Sequence, residues 1–267
     1  MSETYSIQVQ NVSKIFTTQK KGRIEGFMAL QNVSLQIRKG EFISLVGPSG
    51  CGKSTVLNHA AGLSLPSEGR ILVNGQQVKA LSVGIGYVTQ EDNLFPWRTM
   101  IDNVTYGLEL RGMNAKQRRE KVAPLIEKVG LKGFEGHYPH QLSGGMRKRA
   151  SIIRTLVLDP EIILMDEPFG PLDAQTRTLL QQELLDLWEG TGKTVVFVTH
   201  DLIESIALSD RVAVFTKAPG RIKSIYDIPF PRPRDVFNIH HIDGFNDLHD
   251  QIWSDIRGEL AETKQEA

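Results

Sequence analysis

The feature that most constrains this chain is a glycine-rich loop placed between an apolar run and a helix start. The run ISLV, residues 43–46, is short, branched and apolar, and it feeds directly into GPSGCGKST, residues 47–55. That order reads as strand, loop, helix, the context in which such a loop binds phosphate. The glycines Gly47, Gly50 and Gly52 let backbone N–H groups converge on phosphate oxygens, helped by Pro48, Ser49 and Cys51 in the same turn. The positive end of the following helix faces the same anion. Lys53 then reaches the β- and γ-phosphates as a point charge, and Ser54, followed by Thr55, supplies a hydroxyl for Mg²⁺.

Two more runs, IILM at 162–165 and VVFV at 195–198, are equally short and each ends in a polar motif. Such runs read as parallel strands buried on both faces. Between them Ala174–Trp188 places Leu180, Leu184, Leu187 and Trp188 on one helical face, closed by Gly190. Strand alternating with helix implies a doubly wound α/β core. Residues 6–9 and Val33, Leu35 and Ile37 alternate as half-exposed strands, and Asn74-Gly75 inside residues 70–78 signals a tight hairpin. Residues 91–158 turn mostly helical and read as a subdomain inserted into the core. The predicted fold is therefore an α/β P-loop NTPase core with a small antiparallel β subdomain and an inserted helical subdomain. PFPRPRD, residues 229–235, reads as a proline-rich linker with little hydrogen-bonding capacity, followed by one amphipathic helix over residues 245–260.

Bulk properties narrow the class. Lys plus Arg and Asp plus Glu each number 31, and the basic clusters lack interleaved aromatics, so no nucleic-acid partner is expected. Arg118-Arg119 and Arg147-Lys148-Arg149 read as solvated helix faces. No run approaches the ~18 apolar residues of a membrane span, and the first residues lack a signal-peptide pattern. A cytoplasmic chain is expected, with any membrane spans supplied by other subunits. The single cysteine, Cys51, excludes an internal disulfide, and its place at a helix start favours thiolate, so alkylation there should block the site. The pairs His137/His140 and His240/His241 lack the further ligands of a metal site.

Further polar groups sit at the ends of apolar runs. Asp166 and Glu167 close residues 162–165, and Gln90 and His200 follow two others. LSGG, residues 142–145, precedes a helix beginning near Met146, so Ser143, Gly144 and Gly145 offer donors at another positive helix end. With GPSGCGKST, Gln90, LSGG, IILMDEP and His200 in this order, the chain resembles the ATP-binding cassette (ABC) family over residues 5–225.

The resemblance implies ATP and Mg²⁺ as cofactors. It gives Asp166 to the metal, Glu167 to orienting or deprotonating the attacking water, Gln90 to sensing metal and nucleophile, and His200 to the γ-phosphate. It has the LSGG donors close on ATP held by a second copy of the chain, in a head-to-tail dimer. Met146 stands where the family usually has glutamine. Asp173, in PLDA, links the two sites or caps the next helix, and Phe16 stacks on adenine or is a buried strand residue. On this reading residues 1–228 form the ATPase domain, with the helical subdomain at about 91–158, and residues 229–267 the linker and C-terminal extension.

A separate ATPase chain matches the architecture of the family's bacterial solute importers, at the cytoplasmic face of the inner membrane. The partners implied are integral membrane permease subunits and, indirectly, a periplasmic or surface solute-binding protein. EPFGPLDAQTR, APGRI at 218–222 and PRPRD resemble the nitrate, sulfonate, taurine and bicarbonate importer group. Leu94, Phe95 and Trp97, just after Gln90, dock a short helix of the membrane subunit or pack within the helical subdomain. A nucleotide-gated scaffold that signals without transport is the alternative function.

Overall fold

The structure, a computed structural model, describes residues 4–20, 23–82 and 84–263. The chain opens with β1 (Tyr5–Lys20) and β2 (Arg23–Arg38), antiparallel and in register Val9↔Leu35 and Phe16↔Phe27. Alternation buries Ile7, Val9, Val33, Leu35 and Ile37, as the sequence pattern requires. The five residues of β3 (Phe42–Val46) are all buried, and the glycine loop carries the chain from them into α1 (Lys53–Ala61). Then β4 (Glu68–Val73) turns into β5 (Gln76–Gln77) through Asn74 (φ 48°) and Gly75 (φ 77°), two left-handed residues in a two-residue hairpin. These elements form a four-stranded sheet in the order β2-β1-β4-β5.

After β6 (Ile85–Val88) the chain enters the helical insertion: α2 (Met100–Val104), α3 (Tyr106–Leu110), α4 (Ala115–Lys128) and α5 (Gly144–Leu156). Asn114 and Gln117 close a capping box at the head of α4. Leu94, Met100, Val104, Leu108, Val122, Ile126 and Ile153 join in a core of their own. The remaining elements are β7 (Ile162–Asp166), α6 (Ala174–Trp188), β8 (Thr194–Val198), α7 (Leu202–Leu208), β9 (Arg211–Phe215), β10 (Ile222–Asp227) and α8 (Phe245–Thr263). The second sheet runs β10-β9-β3-β8-β7-β6, parallel throughout except β10. On α6, Leu180, Leu184 and Leu185 are buried against this sheet's core cluster, each contributing roughly 2 kcal/mol by area. Because β8 lies between β3 and β7, the loops leaving all three strands meet at one sheet edge.

The segment read as a linker is built into that core. Ile228, Phe230, Val236, Ile239 and Phe245 are buried in the same cluster as β7 and β8. Far from lacking hydrogen bonds, Arg234 is 4% exposed and donates to the carbonyls of Ile206 (3.1 Å), Ala207 (3.3 Å) and Ser209 (2.5 Å). Those are unpaired carbonyls at the end of α7, a helix end that needs such donors. Arg232 lies 4.4 Å over the Trp188 ring and donates to Asp210 at 2.9 Å. The sequence pattern saw the prolines and missed that the arginines between them cap and stack.

Beneath the loop after β8, Glu204 is 5% exposed. Its carboxyl accepts from Gln181 Nε2 at 2.9 Å and pairs with the Thr199 hydroxyl. Burial pushes this carboxyl up to about 7, aided by the Asp201 charge and opposed by the bonds from Thr199 and Gln181 and by Arg177. A raised carboxyl stabilises the fold below its unfolded value of 4.5, and that stability is lost as pH rises through about 7. Glu204→Gln keeps a group that can pair with both neighbours and removes the titration. The variant is expected to gain on the parent between pH 5 and 8, by up to about 3 kcal/mol, in melts compared pair by pair. A difference that stays flat across that range would contradict the assignment.

Candidate functional site

The loop after β3 is shaped by its glycines. Gly47 (φ 147°) passes so close to β9 that a Cβ would lie 2.7 Å from Phe215 O, and Gly52 (φ 97°) would place one 2.5 Å from Leu30 Cδ2. Gly52 caps α1 with no side chain on its first N–H groups, leaving those donors to an anion. Lys53 is 5% exposed and donates to Gly47 O (2.8 Å) and Pro48 O (2.9 Å), so the loop's own carbonyls hold its ammonium within the loop.

The ends of β7 and β8 complete the hollow. Ser54 Oγ donates to Asp166 Oδ1 at 2.8 Å. Burial pushes the Asp166 carboxyl above its ordinary range, with the Glu167 charge adding, while the Ser54 bond and the Lys53 charge pull it back. A carboxylate disfavoured in this way gains from a nearby cation. Glu167 has φ 42°, a left-handed conformation that is strained for a non-glycine residue. Its N–H bonds to Val198 O at 2.9 Å, and its Oε2 lies 3.3 Å from His200 Nδ1. Gln90 reaches the same place: a Cβ built on Gly170 would sit 3.8 Å from Gln90 Nε2 and 3.9 Å from Glu167 Oε2. Lys53, Ser54, Asp166, Glu167, Gln90 and His200 are thus brought together from four separate stretches.

At the mouth, an open cleft of about 240 Å³ is lined by Phe16, Phe27, Ala29, residues of the glycine loop including Ser49 and Gly50, Thr55 and Glu167. Phe16 is 43% and Phe27 55% exposed, so the buried-strand reading of Phe16 does not hold. Phe27 escaped the sequence reading. Only its register opposite Phe16 marks it, and register is invisible until the strands are paired.

Other predicted residues lie elsewhere or behave differently. Ser143 caps α5, accepting from Met146 N at 3.2 Å, and the helix starts at Gly144 rather than near Met146. Gly145 packs closely on α6, where a Cβ would meet Thr176 Cγ2 at 2.8 Å. Met146 adds an apolar contact to the helical core. Asp173 caps α6 through Thr176 N at 3.0 Å, and that bond holds its carboxyl below the usual range. Neither Asp173 nor Ser143, Gly144 and Gly145 line the cleft beside Lys53.

Two expectations are overturned. Cys51 is fully buried, and burial pushes its thiol up against the pull of the Lys53 charge 3.6 Å away, so no thiolate is favoured there. Arg147-Lys148-Arg149 is not a solvated face. Lys148 is 3% exposed, Arg147 pairs with Asp92 at 2.9 Å, and Arg149 makes a two-pronged pair with Glu183 at 2.9 and 2.8 Å. Leu94 is buried in the helical core, whereas Trp97 is 71% exposed and packs at a tilt against Phe95 (5.4 Å), which meets Tyr106 edge-on at 5.0 Å. Among the described residues no group of three or more His, Cys, Asp or Glu could hold a metal, and no helix is long and apolar enough to cross a membrane.

Comparison with known proteins gives this geometry its class. The ABC transporter family profile matches residues 30–170. An uncharacterized ABC transporter ATP-binding protein of Methanocaldococcus jannaschii is 50% identical over 237 residues, 89% of this chain and 87% of that one. An aliphatic sulfonates import ATP-binding protein of Bacillus licheniformis is 49% identical over 207 residues, 77% of this chain and 80% of that one. Among solved structures, the dimer of an ATP-binding cassette in a post-hydrolysis state, bound to ADP and Pi, superposes with TM-score 0.74 at 34% identity, covering 84% of this chain and all of that one. The chain belongs to the ABC transporter family. Its activity is that family's ATP hydrolysis, carried by an ATP-binding subunit with the fold of the dimeric cassettes.

Proposed function

We propose that the chain is the ATP-hydrolysing subunit of an importer for a small anionic solute of the sulfonate kind. It works as a pair of copies on the cytoplasmic face of the membrane, attached to permease subunits that a solute-binding protein serves. Residues 1–228 are its ATPase unit, with the insertion at about 91–158, and residues 229–267 an extension. The observation that carries the catalytic part is the Ser54–Asp166 contact at 2.8 Å beside the Lys53 cradle, with Glu167 3.3 Å from His200. The solute class rests on the sulfonate-import relative at 49% identity.

The donor set fits Mg²⁺. Ser54, Asp166 and Gln90 offer hard oxygen donors too few for a protein cage, the pattern of an ion that keeps waters and phosphate oxygens as its other ligands. Bound there, Mg²⁺ would neutralise charge on the triphosphate. The chain's own groups do the rest. Lys53 leaves two neutral carbonyls for anionic phosphate oxygens, which bind an ammonium more strongly. Ser54, whose hydroxyl donates to Asp166, would hold the ion through its oxygen. Glu167, turned off the strand end by its positive φ, accepts a hydrogen bond from the attacking water, and His200 stands across from it at the γ-phosphate. Phe16 and Phe27 give the base an apolar wall. The head of α5, with Ser143, Gly144 and Gly145, and Asp173 serve the ATP of the other copy.

The exposed Trp97, with Phe95 behind it, receives the permease. Reconstitution with a sulfonate permease and its receptor tests both parts. ATPase activity is expected to rise when receptor and sulfonate are added, and Trp97→Asp to weaken capture by the permease about tenfold, as loss of an aromatic anchor does. Indifference to the sulfonate receptor, with a response to that for nitrate or bicarbonate, would reject the solute class. Wild-type capture of Trp97→Asp would reject the docking role.

A further inference from the structure

One face of α5 grips the segment that leaves β6. Lys148 Nζ donates to Thr89 O (3.1 Å) and Gln90 O (2.8 Å). Arg154 donates to Asn93 O (2.7 Å) and Asp92 O (3.3 Å), and Arg147 Nε to Asp92 Oδ2 (2.9 Å). Every one of these cations belongs to the helix that Ser143 caps. Lys148 is the most deeply placed of them, and among the described residues its ammonium bonds to these two carbonyls and forms no ion pair with a carboxylate. Burial pushes its ammonium down to about 8, with Asp92 opposing. An ammonium without a paired anion is expensive to bury, and an apolar side chain would fill the space at lower cost. What the lysine adds is a directional tie to two consecutive carbonyls, one of them that of Gln90.

We propose that Lys148 is a positioning residue that couples the two ATP sites of the dimer, by tying Gln90, which reads the ATP in its own cleft, to the helix whose head reaches the ATP of the other copy. The proposal rests on the roles given above to Gln90 and Ser143. When Gln90 moves to engage metal and water, its carbonyl carries Lys148 with it, and α5 moves as a rigid body. Ser143 is displaced by the same motion. Arg149, forked onto Glu183 of α6, passes the shift toward the Asp173 end of that helix. Removal of the Lys148 donors orphans two inward-facing carbonyls and frees the Gln90 segment from the helix, so each site then responds to its own nucleotide alone.

The full chain with Lys148→Met, Lys148→Arg, Arg154→Gln or Gln90→Ala is assayed for ATPase rate against ATP concentration, for MgATP affinity by calorimetry and for melting temperature. The wild type is expected to be cooperative, with a Hill coefficient approaching about 2 for two coupled sites. Lys148→Met is expected to lower kcat about tenfold and bring the Hill coefficient to about 1, with MgATP affinity within about twofold of wild type. Lys148→Arg, which keeps charge and donors, restores cooperativity, and Arg154→Gln moves in the same direction by less. Wild-type cooperativity in Lys148→Met would overturn the proposal, and Arg154→Gln decides by the same measure should Lys148→Met not fold. A non-cooperative wild type overturns it equally. Undiminished turnover in Gln90→Ala would remove the reading beneath it, whereas impaired Gln90→Ala beside an unaffected Lys148→Met would reject the coupling alone.

Discussion

Glu167→Gln is expected to lower ATP turnover by about 10²-fold or more while MgATP binding persists and the ATP-bound dimer accumulates. The amide keeps the shape of the carboxylate and its place at the strand end, but it cannot accept a proton from water. The hydrogen bonds of the loop do not involve Glu167, because Lys53 is held by the carbonyls of Gly47 and Pro48 and Ser54 by Asp166. Binding and chemistry therefore separate at this residue. Lys53→Ala differs in kind, since it removes the cation that the proposed function places against the phosphates, and it is expected to weaken nucleotide binding itself. The measurement is phosphate release at saturating ATP beside light scattering with nucleotide. Near-normal release would assign the water to another group, of which His200, 3.3 Å away, is the first to examine.

What could be read in the amino-acid order was what the order itself carries. The strands β3, β7 and β8 are continuous apolar runs, and the polar residues at their ends fall where a parallel sheet gathers ligands. The Asn74-Gly75 hairpin and the buried face of α6 at Leu180, Leu184 and Trp188 follow from local rules in the same way, although Leu187 turns toward the helical core and Leu185 takes its place. The failures share a different cause. Phe27, Lys148 and Arg234 owe their places to partners far away in the chain: Phe16 across a strand pair, the carbonyls after β6, and the end of α7. A lysine or arginine looks solvated in any local window, and only the packing of distant elements shows what its donors meet. Cys51 failed for a related reason. The helix start that favours thiolate was legible, but the burial that outweighs it comes from a core cluster gathered from distant strands, β1, β2, β7, β8 and β9 among them.

The motif APGRI was readable as a family-like signature with no visible task, and its glycine gives the second large effect. Gly220→Ala is expected to weaken MgATP binding by about tenfold or more, because the added methyl collides with the phosphate loop. A Cβ on Gly220 would sit 1.9 Å from Cys51 O. Its backbone has nowhere to retreat, since its N–H bonds to Ala29 O at 2.9 Å and its carbonyl accepts from Gln31 N at 3.0 Å, both on β2. The far side of the same loop is held by α8, where Lys217 N donates to Glu259 Oε2 at 3.1 Å. The strain must therefore fall on the loop at residues 47–52, whose N–H groups are positioned by three positive-φ glycines and tolerate little displacement. Overpacking at this level costs about 1–3 kcal/mol, and about 1.4 kcal/mol of it expressed as lost phosphate contacts is already tenfold in affinity. Gly136→Ala, where a new methyl meets nothing within 4 Å, serves as the control and should bind as the parent does. Calorimetric titration with MgATP reads both variants. Parent-like affinity in Gly220→Ala would mean that the 218–222 segment yields instead, and that the C-terminal helix does not brace the phosphate loop.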